Sequence, residues 1–389
     1  MDKFILFHIE GGIGKNIIAT AVVKAIKKAH PERKIIIVSP WAAVWVNNPD
    51  IYRFYVMGQG TPYFYEDYIK GKDTLIYKQE PYHHEDFLNK RLSLAEVWCK
   101  QFGVPYNNET PSIYLSAKEQ DSIERKFNVF GKPILVLQTN GGGPQEYPVS
   151  WVRDAPIKNI QQVLQVLQDK YKVIHVRRDD QLTIPGIDFI STPNIRDLFA
   201  LIEYSHCRVF IDSFAQHAAR ALDRPSVVLW PVDNVKPLGY PDFHINVVSK
   251  ADQSKVHLID SYLADHPING DQLHEDPFKD DNIFNVNPII DGINSIDESD
   301  VYYEELQELQ KLQQQPPSIN VLQPPPPPPE ELNDDSPNST EVTIIGISAA
   351  EAENTSSNFT FSGCPPVNSA SSTLNSSLVL TEPFFPLRG

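Results

Sequence analysis

Residues 194–231 read NIRDLFALIEYSHCRVFIDSFAQHAARALDRPSVVLWP, and the fold is decided there. Leu198, Leu201 and Ile202 recur on one face of a helix predicted over Ile195–Tyr204, and the apolar run Arg208–Ile211 predicts a buried strand. Asp212 and Ser213 turn the chain into a second predicted helix from Phe214 to about Leu222. Ser226–Trp230 is the next strand. Helix, strand, helix and strand on short connections are the pattern of a parallel sheet in an α/β protein.

The segment Ile211–Ala219 leaves a strand and opens a helix. Unpaired N–H groups and the positive end of the helix dipole there favour an anion. Ser213 with Gln216 three residues on also fits a capping box, so Ser213 has a purely structural reading as a helix cap. His217 stands one turn into the helix. It either reaches a bound phosphate or is a hydrogen-bonded core histidine.

The same alternation extends through the first 300 residues. Phe4–Ile9 predicts a buried strand, Gly11-Gly12-Ile13-Gly14 a turn, and Ile17, Ile18, Ala21, Val22, Ala25, Ile26 and Ala29 one face of a helix ended by Pro31. Ile35–Val38 is the second predicted strand, Thr74–Tyr77 the third, and Leu92–Phe102 a helix. After a helix and turn within Ser116–Lys132 a second series starts. It comprises strand Ile134–Leu137, the loop Thr139–Pro144, a helix marked by Ile157, Ile160, Val163, Leu164 and Leu167, and strand Val173–Val176. Phe284–Ile293 predicts one more helix. The expected organisation is an N-terminal Rossmann-like domain over 1–125, a second over 126–298, and a third region over 299–389. That region holds a polar helix (Tyr302–Gln315) and a Pro/Ser/Thr/Asn-rich tail.

Six consecutive prolines, Pro324–Pro329, open the tail. Its composition buries too little apolar surface to offset chain entropy, so disorder is expected. The prolines serve as a spacer or as a ligand for the aromatic groove of a protein partner. The four N-x-S/T triplets at Asn338, Asn354, Asn358 and Asn375 are expected by chance in so Asn/Ser/Thr-rich a segment.

Charge excludes some partners. The chain carries a net −16. From Val301 onward eleven acidic residues face only Lys311 and Arg388, which leaves 32 basic against 39 acidic residues before it. Neither part has the footprint of a nucleic-acid binder or of a protein drawn to an anionic membrane. No signal-peptide pattern and no apolar run near the ~20 residues of a membrane span is present, so a soluble, cytoplasmic protein is expected. Cys99, Cys207 and Cys364 are odd in number and widely spaced, unlike a disulfide framework.

Two glycine motifs fail on inspection. Ile9 stands where a Walker A loop needs its first glycine and Asn16 where it needs a hydroxyl, and Ile17 breaks a G-x-G-x-x-G fingerprint. His83-His84-Glu85-Asp86 contains metal-ligand residue types, but consecutive side chains diverge, so no metal site is expected.

The run Ile195–Pro231, with its Asp-Ser-x-x-x-His-Ala-Ala core at Asp212–Ala219, resembles the C-terminal domain of the ADP-heptose:lipopolysaccharide heptosyltransferase family, glycosyltransferase family 9. Gly11–Lys27, His30-Pro31 and Asn47-Asn48-Pro49 resemble that family's first loop, first helix and the turn after its second strand. The resemblance covers residues 3–298 in patches. It implies a GT-B fold, in which two Rossmann-like domains face each other across a cleft. The second would bind a nucleotide-sugar donor and the first, through a loop containing Gly11, Gly12 and Gly14, a carbohydrate or glycoconjugate acceptor. It also implies transfer to an acceptor hydroxyl with inversion, without a metal or any cofactor beyond the donor. By the match Asp212, Ser213, Ala215 and His217 fall on donor contacts, and Gln216 is counted with them. The loop Thr139, Asn140, Gly141 and Gly142 is placed to approach phosphate, with Arg153, Arg177 and Arg178 as candidate cations.

Two positions depart from the family pattern. Phe214 replaces its glycine. Lys15 replaces the aspartate proposed as catalytic base, and a lysine is cationic at neutral pH unless strongly desolvated. Glu10, on the same loop, is the nearest carboxylate for that role. Asp67, Glu85 and Asp86 follow. Lys15 would then neutralise phosphate or simply be solvated. The alternative function is a catalytically inactive nucleotide-sugar-binding or assembly protein on the same fold.

Overall fold

The computed structural model describes residues 2–59, 62–141, 153–191, 194–251 and 282–297. Gly142, the segment to Trp151, the polar helix and the tail lie outside them. Two all-parallel sheets organise the described chain. The first contains β1 (Lys3–His8), β2 (Lys34–Ser39), β3 (Arg53–Val56) and β4 (Asp73–Tyr77), in the order β3-β2-β1-β4. The second contains β5 (Ile134–Leu137), β6 (Lys172–Val176), β7 (Asp188–Ile190), β8 (Cys207–Ile211), β9 (Val227–Trp230) and β10 (Ile245–Val248), in the order β10-β9-β8-β5-β6-β7. Counted within its own series, the second sheet has the doubly wound Rossmann order 3-2-1-4-5-6, and the first has its 3-2-1-4 portion.

Every strand foreseen from the sequence is present, with ends shifted by a residue or so. Three others, β3, β7 and β10, were not foreseen, so Thr74–Tyr77 belongs to the fourth strand rather than the third. The last helix runs over 286–297.

Strand alternation sorts the core. Ile134 and Val136 of β5 point into one apolar cluster, while Leu135 and Leu137 point into another. The first cluster also holds Ile5 and Phe7 of β1, Val22 and Ile26 of the Ile13–Ala29 helix, Phe199 and Leu201 of the Ile195–Tyr204 helix, and Ala215 and Ala218 of the Phe214–Ala221 helix. One continuous core therefore fills the space between the two sheets. The far face of the second sheet is covered by the Ile157–Leu167 helix and the 286–297 helix. The far face of the first carries a small aromatic group: Phe4, Tyr55, Phe64 and Tyr68.

A polar strap crosses between the halves. Arg196, at the start of its helix, donates to both carboxylate oxygens of Glu119 at 2.7 and 2.8 Å. It also donates to the carbonyls of Tyr114 at 2.7 Å and Ala43 at 3.0 Å. Glu119 closes a capping box with Ser116 at the start of the Ala117–Phe127 helix. The guanidinium holds its carboxyl down at about 2. Fully buried Arg208 caps the other end of the Ile195–Tyr204 helix by donating to the carbonyls of Ser205, His206 and Ile202.

Candidate functional site

In doubly wound sheets the ligand crevice opens at the carboxyl ends of the strands, where the strand order reverses. Here those points lie between β1 and β4 in the first sheet and between β5 and β8 in the second. They meet each other. Gly14 lies in the first turn of its helix, and a Cβ there would fall 2.9 Å from Cδ2 of His217 and 3.3 Å from Cα of Phe214. The bare backbone at Gly14 is what lets the first-half loop touch the N-terminus of the Phe214–Ala221 helix. Phe214 carries a side chain in this contact, and the residue without one is Gly14.

At the second switch point Ser213 has extended backbone and N-caps the helix by accepting from Ala215 N–H. Its hydroxyl donates to Oε1 of Gln138, the residue that follows β5, and so ties the ends of β5 and β8 together. The foreseen capping box does not form. Gln216 turns instead toward Asp212 Oδ1 at 3.3 Å, and its Oε1 is buried without a hydrogen-bond partner. His217 is 4% exposed and shares a hydrogen bond with the Tyr240 hydroxyl at 3.1 Å. Burial, followed by the neighbouring His244, pushes its imidazole down to about 3. His217 is thus buried where the two halves touch, hydrogen-bonded to Tyr240 and held toward its neutral form.

The loop after β5 is a closed hydrogen-bond lattice. Thr139 Oγ1 lies 2.8 Å from Asn140 Oδ1 and 2.9 Å from His175 Nε2. Asn140 Nδ2 and Gly141 N both donate to Asp154, at 2.9 and 2.7 Å, and Gln181 donates to Gly141 O at 2.5 Å. All five side chains involved are buried, and burial followed by the Arg177 charge drives His175 down to about 4. Thr139 and Asn140 thereby shape the loop, whose described residues, Gly141 included, are buried. Of the three candidate cations, Arg153 lies against Gly141. Arg177 is buried over the Phe189 ring and donates to three carbonyls, while Arg178 pairs with Asp180. No sequence signal singled out Asp154, Gln181 or Tyr240.

The first switch point is built from charges. Gly11 adopts φ +93°, and its carbonyl accepts from the half-exposed Trp41 indole at 2.9 Å. Buried Asn16 holds the loop by donating to Gly12 O at 3.0 Å and accepting from Ser39. Lys15 is not the solvated lysine of the simplest expectation. It is 6% exposed, sits over the rings of Tyr82 and Trp98, and pairs with Glu80 Oε2 at 2.5 Å. Glu80 follows β4 and was overlooked in the sequence; its place just beyond a parallel strand was the signal. Glu10 lies 3.5 Å from Lys78 and 3.7 Å from His8, with 55% of its side chain exposed. Asp86 is tied to Lys100 at 2.5 Å, Glu85 to Arg91 at 2.7 Å, and Asp67 is exposed. Among the described residues no group of three or more His, Cys, Asp or Glu side chains is arranged to hold a metal ion, and no helix is long and apolar enough to cross a membrane.

No family model and no curated protein matches the sequence. Solved structures do. A glycosyl transferase family 9 protein from Veillonella parvula superposes with a TM-score of 0.57 at 15% identity, over 77% of this chain and 98% of that one. The bacterial iron-containing dodecameric glycosyltransferase TibC from enterotoxigenic E. coli superposes with a TM-score of 0.50 at 12% identity, over 79% of this chain and 77% of that one. TibC in complex with ADP-D-beta-D-heptose gives 0.50 at 13% identity, with the same coverage. The chain has the GT-B fold of these glycosyltransferases, two Rossmann-like halves, as its sequence resemblance implied.

Proposed function

We propose that the protein is a glycosyltransferase that moves a sugar from a nucleoside-diphosphate sugar to an acceptor hydroxyl. The observation that carries this reading is the meeting of the two switch points at Gly14 and Phe214. It puts an anion-favouring helix N-terminus from one half beside a carboxylate-bearing loop from the other. The donor diphosphate would lie against the Ser213 end of the Phe214–Ala221 helix and the backbone of the Thr139–Gly141 loop, with Arg153 nearby and Asp212 and Ala215 in the wall. The Gly11–Gly14 loop would receive the acceptor. A carboxylate at the end of β1 or β4, Glu10 or Glu80, would take the hydroxyl proton as the oxygen attacks the anomeric carbon. One such displacement inverts that carbon, and helix dipole and arginine stabilise the leaving diphosphate without a metal.

The test is a thermal-shift panel of ADP-, UDP-, GDP- and CMP-sugars, followed by assay of nucleotide release. At least one donor should raise the melting temperature by linkage and be slowly hydrolysed. Stabilisation without release over a broad acceptor panel would leave a nucleotide-sugar-binding protein, the reading favoured by Lys15 in place of the family's aspartate.

A further inference from the structure

We infer that Glu80 is the general base of this site and that Lys15 is the residue that positions it; the inference rests on the glycosyl-transfer reading above. Two carboxylates end strands at the first switch point, and their surroundings differ. Glu10 is mostly in water, with one loose lysine and one histidine at 3.5 and 3.7 Å. Glu80 is fixed from three sides. Its carbonyl accepts from Gln101 at 3.3 Å, and the preceding carbonyl of Gln79 accepts from the Trp98 indole at 2.9 Å. Its Oε2 meets the Lys15 ammonium at 2.5 Å, while its Oε1 accepts from the backbone N–H of Tyr82 at 3.3 Å.

A base must be held where the proton will be, since a misplacement of about 1 Å can cost about 100-fold. Glu80 is held in one place by these contacts, and Glu10 is not. Each carboxylate oxygen has two acceptor sites, so one neighbour on each leaves capacity for an incoming hydroxyl. With 37% of its side chain exposed, Glu80 is also open to one.

Lys15 supplies the other half of the argument. Its side chain is 5% exposed, and a buried ammonium requires a counter-charge. A Cβ at Gly11 would fall 3.7 Å from Lys15 Nζ, so the pair holds Glu80 beside the Gly11–Gly14 loop. In the transfer step the acceptor O–H bond breaks and its proton passes to a Glu80 oxygen. The acceptor oxygen bonds to the anomeric carbon, and the carbon–oxygen bond to the diphosphate breaks, its electron pair leaving with the nucleotide.

The experiment uses the full chain and the panel sugar that wild type hydrolyses fastest. Glu80→Gln should lower nucleotide release at least 100-fold and keep the donor-induced rise in melting temperature. Should Glu80→Gln alone fail to fold with Lys15 left unpaired, the double variant Lys15→Met/Glu80→Gln removes both charges and should show the same loss. Release within threefold of wild type in either variant overturns the inference, and a parallel loss in Glu10→Gln would then assign the base to Glu10 while the transferase reading stands. A wild type that releases no nucleotide from any panel sugar overturns both readings together.

Discussion

The end of β1 and the end of β5 occupy equivalent places in two similar sheets, yet they are finished in opposite ways. Around β1 and β4 the chain sets charges: Glu10 with Lys78, Lys15 with Glu80, and Asp86 with Lys100 nearby. Around β5 and β8 the rings are buried and held toward the neutral form, His175 on Thr139 and His217 on Tyr240, beside the Asp154 carboxylate that anchors the loop. On the proposed reading the second end receives a diphosphate, which would bring its own charge and need backbone dipoles and a rigid frame more than further ions. The acceptor hydroxyl of that reading would bring none, so the first end would have to supply the charge and fix it. The contrast also divides the stability of the molecule, because ion pairs and buried neutral histidines answer to different perturbations.

The comparison presumes that the halves are held in one register, and the Arg196 strap is where that is most easily broken. Arg196→Ala leaves the Glu119 carboxylate without its partner and two carbonyls without their donor. Loss of a buried partner of this kind costs about 3–4 kcal/mol. A urea titration should show the midpoint fall accordingly. A loss below about 1 kcal/mol would mean that the apolar core between the sheets holds them unaided.

A smaller effect probes the point of contact itself. Gly14→Ala puts a methyl group 2.9 Å from the His217 ring and 3.3 Å from the Phe214 backbone. Overpacking of that size costs about 1–3 kcal/mol. The ring can be removed and the backbone cannot, so Gly14→Ala/His217→Ala should be less destabilised than the two single losses added. Strict additivity would show that His217 is not the obstacle, and it would detach the second switch point from the first.

Much of this frame was legible in the sequence, and the gaps have a common cause. Among the strands read correctly, Ile134–Leu137 and Arg208–Ile211 are central and buried on both faces, and all their residues but Arg208 are apolar. The three overlooked, β3, β7 and β10, are all edge strands of three or four residues. Arg53, Asp188 and Asn246 interrupt their pattern, and Phe189 is 50% exposed. The site divides in the same way. The helix start at Ser213 is local chemistry that a short window reveals, although which atoms Gln216 would meet is not. The Lys15–Glu80 pair joins residues 65 apart and became visible only once β4 lay beside β1. Lys15 gives no hint of that pairing in the sequence, because its carboxylate partner arrives after another strand.

The mildest test separates the halves by pH. His175, His217 and His244 are held neutral by burial, down to about 4, 3 and 3, whereas in the unfolded chain each takes a proton near 6.5. A depressed folded value stabilises above 6.5, and that contribution is lost as pH falls toward 4 and 3. Each such histidine then costs up to about 1.4 kcal/mol per pH unit. Asp86, which Lys100 holds below the usual carboxylate range, stays ionised through the same window, and Glu119 titrates only further down, between 4.5 and about 2. Urea midpoints measured from pH 7 to 5 should therefore fall mainly through the histidines of the second half, with a smaller share from His8 of β1, which burial also holds down. His217→Gln should make that fall shallower by about 1 kcal/mol between pH 6 and 5. If the slope is unchanged, the ring at the junction is protonated in the native state, and the second switch point is as charged as the first.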